Sequence, residues 1–194
     1  DFEIIVMDNN STDGSAEMIK KEFPYVRLIE MHENKGILAR NIGLKNAKGE
    51  YVFSLDNDAF VKDKDILKKI IKKFESEPNL GIIACNILDP KTEKISNWFH
   101  CMPEEYYNKE FFTFSFGAGA SIIRKKILDK TGYWFEGFLF RGEEYDMAYR
   151  VYDHGYYIKY CPEIIMYHDS NPAGRIDSYY YYLNKRNMLW VYWL

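Results

Sequence analysis

The sequence has few of the residues that mark disulfide-stabilised, collagenous or disordered chains. It contains 12 glycines and 6 prolines in 194 residues, and its 3 cysteines form no CxxC pair. This excludes a disulfide framework and a CxxC zinc site, and it is typical of a reducing compartment. No apolar run reaches the ~18–20 residues that span a bilayer. We therefore expect a globular chain in the cytoplasm.

Basic residues are not in excess either. Lys and Arg total 26 against 29 Asp and Glu, for a formal net charge of −3. Because nucleic-acid binding depends on a cationic surface, this balance argues against nucleic acid as a partner. Apolar residues make up 47% and aromatic residues 18% of the chain. This composition predicts one domain with a sizeable core.

Short apolar runs alternate with helix-like segments over the first half of the chain. Phe2–Met7 is a nearly continuous apolar run, which predicts a strand buried on both faces. Tyr51–Leu55 and Gly81–Leu88 predict further strands, and Lys64–Phe74 has the spacing of an amphipathic helix. This order predicts an α/β fold with a largely parallel sheet, whose ligands bind at the carboxyl ends of the strands.

The second half is less regular. Gly117–Ala120 is a turn of small residues, Glu143–His154 predicts a helix, and Tyr156–Tyr160 predicts a strand. Asp177–Leu194 predicts an aromatic-rich helix, either packed on the core or lying at a membrane interface. Six earlier aromatic residues either stack on a sugar or a base or pack in the core or in a lid: Trp98, Phe99, Tyr106, Tyr107, Phe111 and Phe112.

Two aspartates follow the strand predicted at Tyr51–Leu55. Because residues i and i+2 of an extended segment point to the same side, Asp56 and Asp58 would present their carboxylates together. Such a patch suits Mg²⁺ or Mn²⁺ with substrate phosphates. The alternative is a turn in which these residues cap the following helix.

Three carboxylates stand at the start of the helix predicted after Gly142. Glu143, Glu144 and Asp146 place negative charge near a helix N-terminus, where it is favourable. A second interpretation is catalytic, because crowded like charges raise the pKa of at least one carboxyl and make it a useful general base.

Three other features are ambiguous on their own. The loop Asp8–Ser15 is either a capping turn or a nucleotide cradle in which Asp8 accepts a hydrogen bond from a base or sugar. His168 follows an apolar run and is either a core histidine or a ligand. Arg40 lies among small residues of a predicted helix, and its role is equally open.

Together these motifs resemble the inverting nucleotide-sugar glycosyltransferases of family 2, which have the GT-A fold. The resemblance rests on DNNSTDGS, NKGILARNIGL, GEYVFSLDNDA, GAGASIIRKKIL, FEGFLFRGEEYDMAYRVYDHGY and YHDS, which occur in the family's order. The segment 117–187, with its late Lys185-Arg186-Asn187, is most similar to the rhamnosyltransferase-like branch. The resemblance implies one Rossmann-like GT-A domain over residues 1–194, with a nucleotide-binding half (1–88) and an acceptor-binding half (89–194).

The resemblance also implies which residues bind the donor. Asp8, with Asn10 in the same loop, would contact the nucleotide at its base. Arg40 would hold the base or the diphosphate, and Asp56 would lie near the ribose. Because family members begin with a further strand and loop ahead of the position of Asp1, we expect an N-terminally truncated domain.

The metal and the general base are implied in the same way. Asp58 would ligate Mn²⁺ or Mg²⁺ bridging the diphosphate, and His168 would complete the metal or diphosphate site. The family pattern after the glycine is Glu-Asp, whereas this chain has Glu-Glu, so that Glu144 takes the position of the base. The longer side chain keeps Glu143 and Asp146 as alternatives.

The implied reaction is the inverting transfer of a hexosyl or deoxyhexosyl group from a nucleotide-diphosphate sugar in glycan or cell-surface polysaccharide synthesis. A glycan or a lipid-linked molecule would be the acceptor, at a cytoplasmic location or peripherally at the inner face of the membrane. One alternative is a non-catalytic or truncated nucleotide-sugar-binding module. Another is a haloacid-dehalogenase-type phosphohydrolase, which is disfavoured because Phe60 stands where that motif has Thr or Val.

Overall fold

The computed structural model describes residues 1–96, 98–138, 141–169 and 177–193. Its strands are β1 (Ile5–Asp8), β2 (Arg27–Glu30), β3 (Tyr51–Leu55), β4 (Ala59–Phe60), β5 (Leu80–Leu88), β6 (Phe111–Phe112), β7 (Ala120–Arg124) and β8 (Tyr157–His168). Its α-helices are α1 (Ser15–Glu22), α2 (Leu38–Asn46), α3 (Ile66–Ser76), α4 (Leu128–Thr131), α5 (Glu143–Asp153) and α6 (Asp177–Val191).

The strands form a larger central sheet and a smaller one. The order in the central sheet is β3–β7–β5–β8–β4, with β6 also paired to β8, and β1 and β2 form a separate parallel pair. Strands β3, β5 and β8 share one direction, because β5 and β8 are parallel and β7 is antiparallel to both β3 and β5. The predicted α/β fold, with a central sheet flanked by helices, is confirmed. The inserted antiparallel strand β7 is not evident from the sequence pattern.

The core lies on both faces of β5, in which every residue except Leu88 is buried. Successive side chains of a strand point to opposite faces. Accordingly, Ile82 and Ala84 pack in one apolar cluster, and Ile83 and Cys85 pack in the other. Helix α5 contributes to the first cluster with Met147, Ala148 and Val151, and α3 contributes to the second with Ile66, Ile70 and Phe74. Strands from both halves of the chain therefore share one core.

The burial expected for the first strand is wrong. Of β1 only Asp8 is buried, and the preceding Phe2 and Ile4 are 74% and 40% exposed. Helix α2 packs against this strand, where Gly43 lies close to Met7. In the part of the chain that the structure describes, β1 pairs with β2 alone. An apolar run by itself does not show how many neighbouring elements will cover it.

A buried arginine holds α3 against the sheet. Arg124, at the end of β7, is 4% exposed and lies over the rings of Tyr51 and Phe74. Its Nε donates to the carbonyl of Leu80 at 2.9 Å, and its Nη2 donates to the carbonyls of Phe74 and Glu77. The last carbonyls of a helix lack partners within that helix. Arg124 supplies these partners without a buried carboxylate.

Most of the aromatic group between residues 98 and 112 is structural. The rings of Trp98 and Phe111 pack around Tyr160 at centroid distances of 5.5 and 4.9 Å. Phe112 is 62% exposed but pairs with Lys159, nine residues before His168 along β8. Strand β5 takes five residue steps from Ile83, which pairs with Lys159, to Leu88, which pairs with Tyr167. At ~3.3 Å per residue, this places Phe112 roughly 20 Å from His168 at the end of β8. The interpretation as core packing fits this group better than an acceptor platform.

Helix α6 has one face on the protein and aromatic side chains in solvent. Leu183 and Asn187 are buried, whereas Tyr181, Tyr192 and Trp193 are 66%, 71% and 88% exposed. Among the described residues, the helices include none with both the length and the apolar character needed to cross a membrane.

Candidate active site

Three candidate metal ligands meet where β3 and β8 end. Ligand atoms of Asp56, Asp58 and His168 all lie within 4.8 Å of one another. The Nε2 atom of His168 is 3.1 Å from Oδ1 of Asp58. Strand β4 causes this approach, because Ala59 pairs with His168 and returns the turn after β3 to the end of β8. The two candidate aspartates and the ambiguous histidine thus form one cluster.

The chemistry of this cluster fits a divalent cation. Side-chain exposure is 38% for Asp56, 37% for Asp58 and 24% for His168, so each side chain is partly open to solvent. Carboxylate oxygen and imidazole nitrogen are both ligands of Mn²⁺, and carboxylate oxygen also suits Mg²⁺. Both cations keep positions for water or substrate phosphate oxygens, which this partial exposure allows.

Arg40 of α2 provides the positive charge of this end of the site. Its guanidinium pairs with the Asp56 carboxylate and donates to Oγ of Ser54 at 2.9 Å and to the carbonyl of Ala118 at 3.3 Å. Because Arg40 neutralises Asp56, the carboxylate of Asp58 has the larger share of uncompensated charge for a cation. This geometry agrees with different roles for the two aspartates.

The turn Gly117–Ala120, called the small-residue turn below, packs directly on Asp56. A Cβ atom at Gly119 would overlap the Asp56 carboxylate. The N–H of Asp56 also donates to the carbonyl of Gly119 at 3.3 Å. An alanine at this position would therefore displace the Asp56 carboxylate from its place beside Arg40. On its other side the turn reaches α5, because the N–H of Ala118 donates to Oε1 of Glu144 at 3.4 Å.

The carboxylates of Glu143 and Glu144 follow an unusual backbone turn. Arg141 and Gly142, which precede α5, have φ of 71° and 91°. Both residues are in the left-handed region, which costs a residue with a side chain about 1–2 kcal/mol. Helix α5 then begins at Glu143, so the turn sets the direction in which the first helical side chains leave the backbone.

Burial raises the pKa of both carboxyls. Glu143 is 3% exposed, and its Oε2 has no hydrogen-bond partner in the described parts of the chain. Burial raises the pKa of the Glu143 carboxyl and the charge of Glu144 raises it further, against the opposing charges of Arg40 and Arg141. Burial also raises the pKa of Glu144, which the hydrogen bond from Ala118 partly offsets. A carboxylate of this kind is a strong proton acceptor.

The third acidic candidate has a structural partner. Asp146 is buried and forms an ion pair with Arg150, one turn further along α5, whose Nε is 3.2 Å from Oδ1. Arg150 also donates to the carbonyls of Thr131 and Tyr133. The Asp146 carboxylate thus helps to hold α5 to the segment after α4, and its two oxygens are engaged there.

The loop Asp8–Ser15, which we predict to bind the nucleotide, is held in place by Asn9, a residue that no sequence motif indicated. Asp8 is buried and accepts from the N–H of Ser11 at 3.3 Å, while Asn10 is exposed with φ of 66°. Between them, Asn9 donates from Nδ2 to the carbonyl of Gly36 at 3.1 Å and accepts from the N–H of Lys35 at 2.8 Å. Asn9 therefore ties this loop to the segment that leads into α2 and Arg40.

A second missed residue lies next to Arg40. Asn41 is 3% exposed, donates from Nδ2 to the carbonyl of Trp134 at 2.8 Å and accepts from its N–H at 2.9 Å. The two bonds hold α2 to the segment between α4 and α5. An asparagine on the buried face of a helix is the signal that would have indicated this role, since buried polar groups require partners.

Comparison with known proteins supports a relation to sugar-transferring enzymes. The sequence model of the family described as "Glycosyl transferase family 2" matches residues 1–132. The chain is also 28% identical over 172 residues to the poly-beta-1,6-N-acetyl-D-glucosamine synthase of Staphylococcus aureus (strain COL), an overlap of 82% of the chain and 41% of that protein. The chain spans less than half the length of the curated relatives it matches.

Two solved structures have a similar fold. GalNAc-T7 with UDP, GalNAc and Mn²⁺ matches with a TM-score of 0.75 and 17% identity, over 97% of this chain and 41% of that one. A mannosyltransferase from Pyrobaculum calidifontis in complex with GDP-Man and Mn²⁺ matches with a TM-score of 0.68 and 22% identity, over 89% and 49% of the two chains. At these identities the likeness concerns the fold.

Proposed function

This chain belongs to glycosyl transferase family 2, and on that premise we propose that it transfers a sugar from a nucleotide-diphosphate sugar to an acceptor hydroxyl. The transfer is metal-dependent and inverts the anomeric carbon. The product is a glycan or cell-surface polysaccharide, which agrees with the named activity of the Staphylococcus aureus relative. Family membership argues against a phosphohydrolase.

The small-residue turn carries this proposal, because it contacts both the candidate metal cluster and the candidate base. Gly119 packs on Asp56, and the N–H of Ala118 donates to Glu144. A transferase needs a leaving-group site and a proton acceptor on either side of one reacting carbon. The contacts of this turn with Asp56 and with Glu144 support the proposal.

The donor binds along the ends of β1 and β3. Asp8 and Asn10 contact the nucleotide, Arg40 binds the base or the diphosphate, and Asp56 lies at the ribose. The ion pair with Arg40 supports the role of Asp56, because it orients the carboxylate before a ligand arrives. The neighbouring structures bind UDP and GDP-Man, which agrees with a nucleotide donor.

Asp58 and His168 hold the cation, with Asp56 at its edge. Bound Mn²⁺ or Mg²⁺ supplies Lewis acidity that stabilises the negative charge developing on the diphosphate. Both structural neighbours contain Mn²⁺. Asp8, Asn10 and Arg40 bind and orient the rest of the donor.

Glu144 is the general base that accepts the proton of the acceptor hydroxyl. Its raised pKa favours proton transfer, and its contact with Ala118 orients Oε1 toward the small-residue turn. General-base catalysis of this kind contributes about 10²–10⁴-fold to rate. Attack by the hydroxyl opposite the leaving diphosphate then inverts the anomeric carbon in one displacement. Asp146 is a weaker candidate, because Arg150 engages its carboxylate.

The acceptor is a glycan or a lipid-linked molecule bound by residues 89–194, whereas residues 1–88 supply the donor side. The exposed aromatic face of α6 supports peripheral contact with the inner face of the membrane, since such side chains favour the interface. The site itself lies at strand ends of the central sheet, where α/β folds bind ligands.

A donor screen tests the proposal. The protein is incubated with nucleotide sugars that include UDP-N-acetylglucosamine, GDP-mannose and dTDP-rhamnose, each with Mn²⁺, with Mg²⁺ and with excess chelator. Melting temperature reports binding, and released nucleoside diphosphate with NMR of the product reports transfer and anomeric configuration. We expect metal-dependent stabilisation by one donor and a product of inverted configuration. A product of retained configuration, or transfer that survives the chelator, would contradict the mechanism.

The same screen distinguishes transfer from simple binding. A non-catalytic module would be stabilised by a donor and Mn²⁺ but would release no nucleoside diphosphate with any glycan or lipid-linked acceptor.

A further inference from the structure

A buried asparagine of α6 contacts the turn that precedes the two glutamates. Asn187 is 0% exposed, and its Nδ2 donates to the carbonyl of Arg141 at 2.5 Å. Its Oδ1 accepts from Nε of Arg186 at 2.8 Å. Because one side of the amide donates and the other accepts, its orientation is determined by these partners.

Asn187 also makes a packing contact with the same turn. A Cβ atom at Gly142 would lie 2.9 Å from Cβ of Asn187, so α6 approaches Gly142 as closely as a glycine allows. Gly142 and Arg141 are the two consecutive left-handed residues, with φ of 91° and 71°. Such a turn persists only where its surroundings hold it, and Asn187 holds it by hydrogen bond and by contact.

We propose that Asn187 is a positioning residue for the carboxylates of Glu143 and Glu144. The proposal rests on the function proposed above, in which Glu144 accepts the acceptor's proton. Asn187 keeps Arg141 and Gly142 left-handed, and this turn directs the first two side chains of α5 toward the small-residue turn. Without the amide, the turn relaxes, α5 begins at a different angle, and Glu144 loses its contact with Ala118.

The expected consequence is catalytic rather than a loss of donor binding. A displacement of about 1 Å of a reacting group costs roughly 10²-fold in rate. The donor side of the site is held by α2, β3 and β8, whereas Asn187 contacts Arg141 and approaches Gly142 at the start of α5. The effect should therefore fall on kcat, with KM for the donor unchanged.

Three variants test this role. Asn187→Leu keeps the approximate volume but removes the donor and the acceptor. Asn187→Ser leaves a shorter hydroxyl donor and provides a second test should the leucine variant fold poorly. Asn184→Leu is the matched control, since Asn184 is an exposed asparagine one turn earlier on the same helix.

Two readouts are needed, one of which does not depend on activity. Steady-state kinetics give kcat and KM for the donor, and carbon-13 NMR titration follows the Glu143 and Glu144 carboxyls. For Asn187→Leu we expect kcat to fall about 10²-fold with KM unchanged. We also expect the carboxyl midpoints to fall by about 1 toward the ordinary glutamate value, since loosening the turn admits water. Asn187→Ser should be intermediate, and Asn184→Leu should match the unaltered protein.

Other outcomes overturn the proposal. Unchanged carboxyl midpoints show that Asn187 does not position the pair, whatever happens to kcat. A parallel loss of kcat, donor binding and melting temperature with unchanged midpoints shows a purely structural role. If the unaltered protein transfers sugar from no donor, the proposed function fails, and the titration still decides whether Asn187 positions the two glutamates.

Discussion

The carboxyl groups in the two acidic regions of the site lie in opposite environments, one partly exposed and one buried. At the ends of β3 and β8, Asp56 and Asp58 are 38% and 37% exposed, and Arg40 and His168 lie against them. At the start of α5, Glu143 is 3% exposed, and burial raises the pKa of both glutamates. A carboxylate that binds a cation must be ionised and accessible, whereas one that accepts a proton benefits from a raised pKa.

The comparison teaches that environment, rather than residue type, separates the proposed roles. The aspartates are partly exposed, with Arg40 paired to Asp56 and His168 next to Asp58. The glutamates repel each other in a desolvated position, which favours a proton. Four variants test this difference, each at a different residue.

The largest effect is expected at the base. Glu144→Gln lacks the proton acceptor but keeps the side-chain volume and the oxygen that faces Ala118. We therefore expect kcat to fall about 10²–10⁴-fold. Donor binding in the presence of Mn²⁺ should be unchanged, because the donor side is separate. Glu104→Gln, at an exposed glutamate, is the control. A normal kcat in Glu144→Gln would show that another carboxyl is the general base.

A somewhat smaller loss is expected at the metal cluster. Asp58→Asn removes the least compensated carboxylate, and kcat should fall about 10²–10³-fold as charge stabilisation of the leaving group is lost. In contrast to the glutamate variant, the Mn²⁺-dependent stabilisation by donor should also disappear from the melting curves. Asp65→Asn provides the comparison, because Asp65 is exposed and pairs with Lys68. Retained Mn²⁺ dependence in Asp58→Asn would disprove the metal assignment.

Disturbing the small-residue turn should affect both regions moderately. In Gly119→Ala the new methyl group overlaps the Asp56 carboxylate, and such overpacking typically costs 1–3 kcal/mol, or roughly 10–10²-fold in donor affinity. Gly117→Ala is the matched change, since the nearest atom to its added methyl is Cβ of Ala120 at 3.3 Å. Calorimetric titration with donor and Mn²⁺ measures the difference. Equal affinities in the two variants would argue against a steric role of Gly119.

The smallest effect concerns stability at Glu143. Because the pKa of its carboxyl is raised on folding, the folded state binds a proton more tightly than the unfolded state above the ordinary pKa of about 4.3. The free energy of unfolding therefore falls as pH rises through the window between these two pKa values. Glu143→Gln lacks this titratable carboxyl and does not lose stability in this way. Its melting temperature should therefore rise relative to that of the unaltered protein as the pH increases from 5 to 8.

The expected change in melting temperature follows from the change in proton affinity. A tenfold change in proton affinity is about 1.4 kcal/mol, and each kcal/mol corresponds to about 2–4 °C in a protein of this size. Melting curves of Glu143→Gln and of Glu104→Gln are compared over the same pH range. Parallel pH dependence in both variants would show that Glu143 is not the source of the raised proton affinity.

The local parts of this site could be predicted closely. Strand β3 has the expected bounds Tyr51–Leu55, and α5 begins at the expected Glu143. Both are marked by patterns within a few residues, an apolar run in one case and acidic residues after a glycine in the other. Strand β8 was expected only over Tyr156–Tyr160 but continues to His168. Pro162 and Glu163 interrupt its apolar pattern where a register shift occurs between Cys85 and Asn86 of β5.

The contacts that brace the site could not be predicted in this way. Asn9 is hydrogen-bonded to Gly36, Asn41 to Trp134, and Arg124 to the end of α3. Because the partners lie far apart in the sequence, no periodic pattern indicates these pairs. An exposed and a buried asparagine look identical in a sequence. Their partners follow only from the packing of helices and loops around the sheet.

Sequence patterns were enough to predict the α/β class, the glycosyltransferase family and the acidic residues that are candidates for chemistry. Only the tertiary structure joined His168 to Asp58, placed Gly119 on Asp56 and engaged Asp146 with Arg150. The physical reason is that apolar periodicity and charge are local properties of a chain. The distance between two side chains depends on strand order and register, including the antiparallel β7 that connects the small-residue turn to the rest of the sheet.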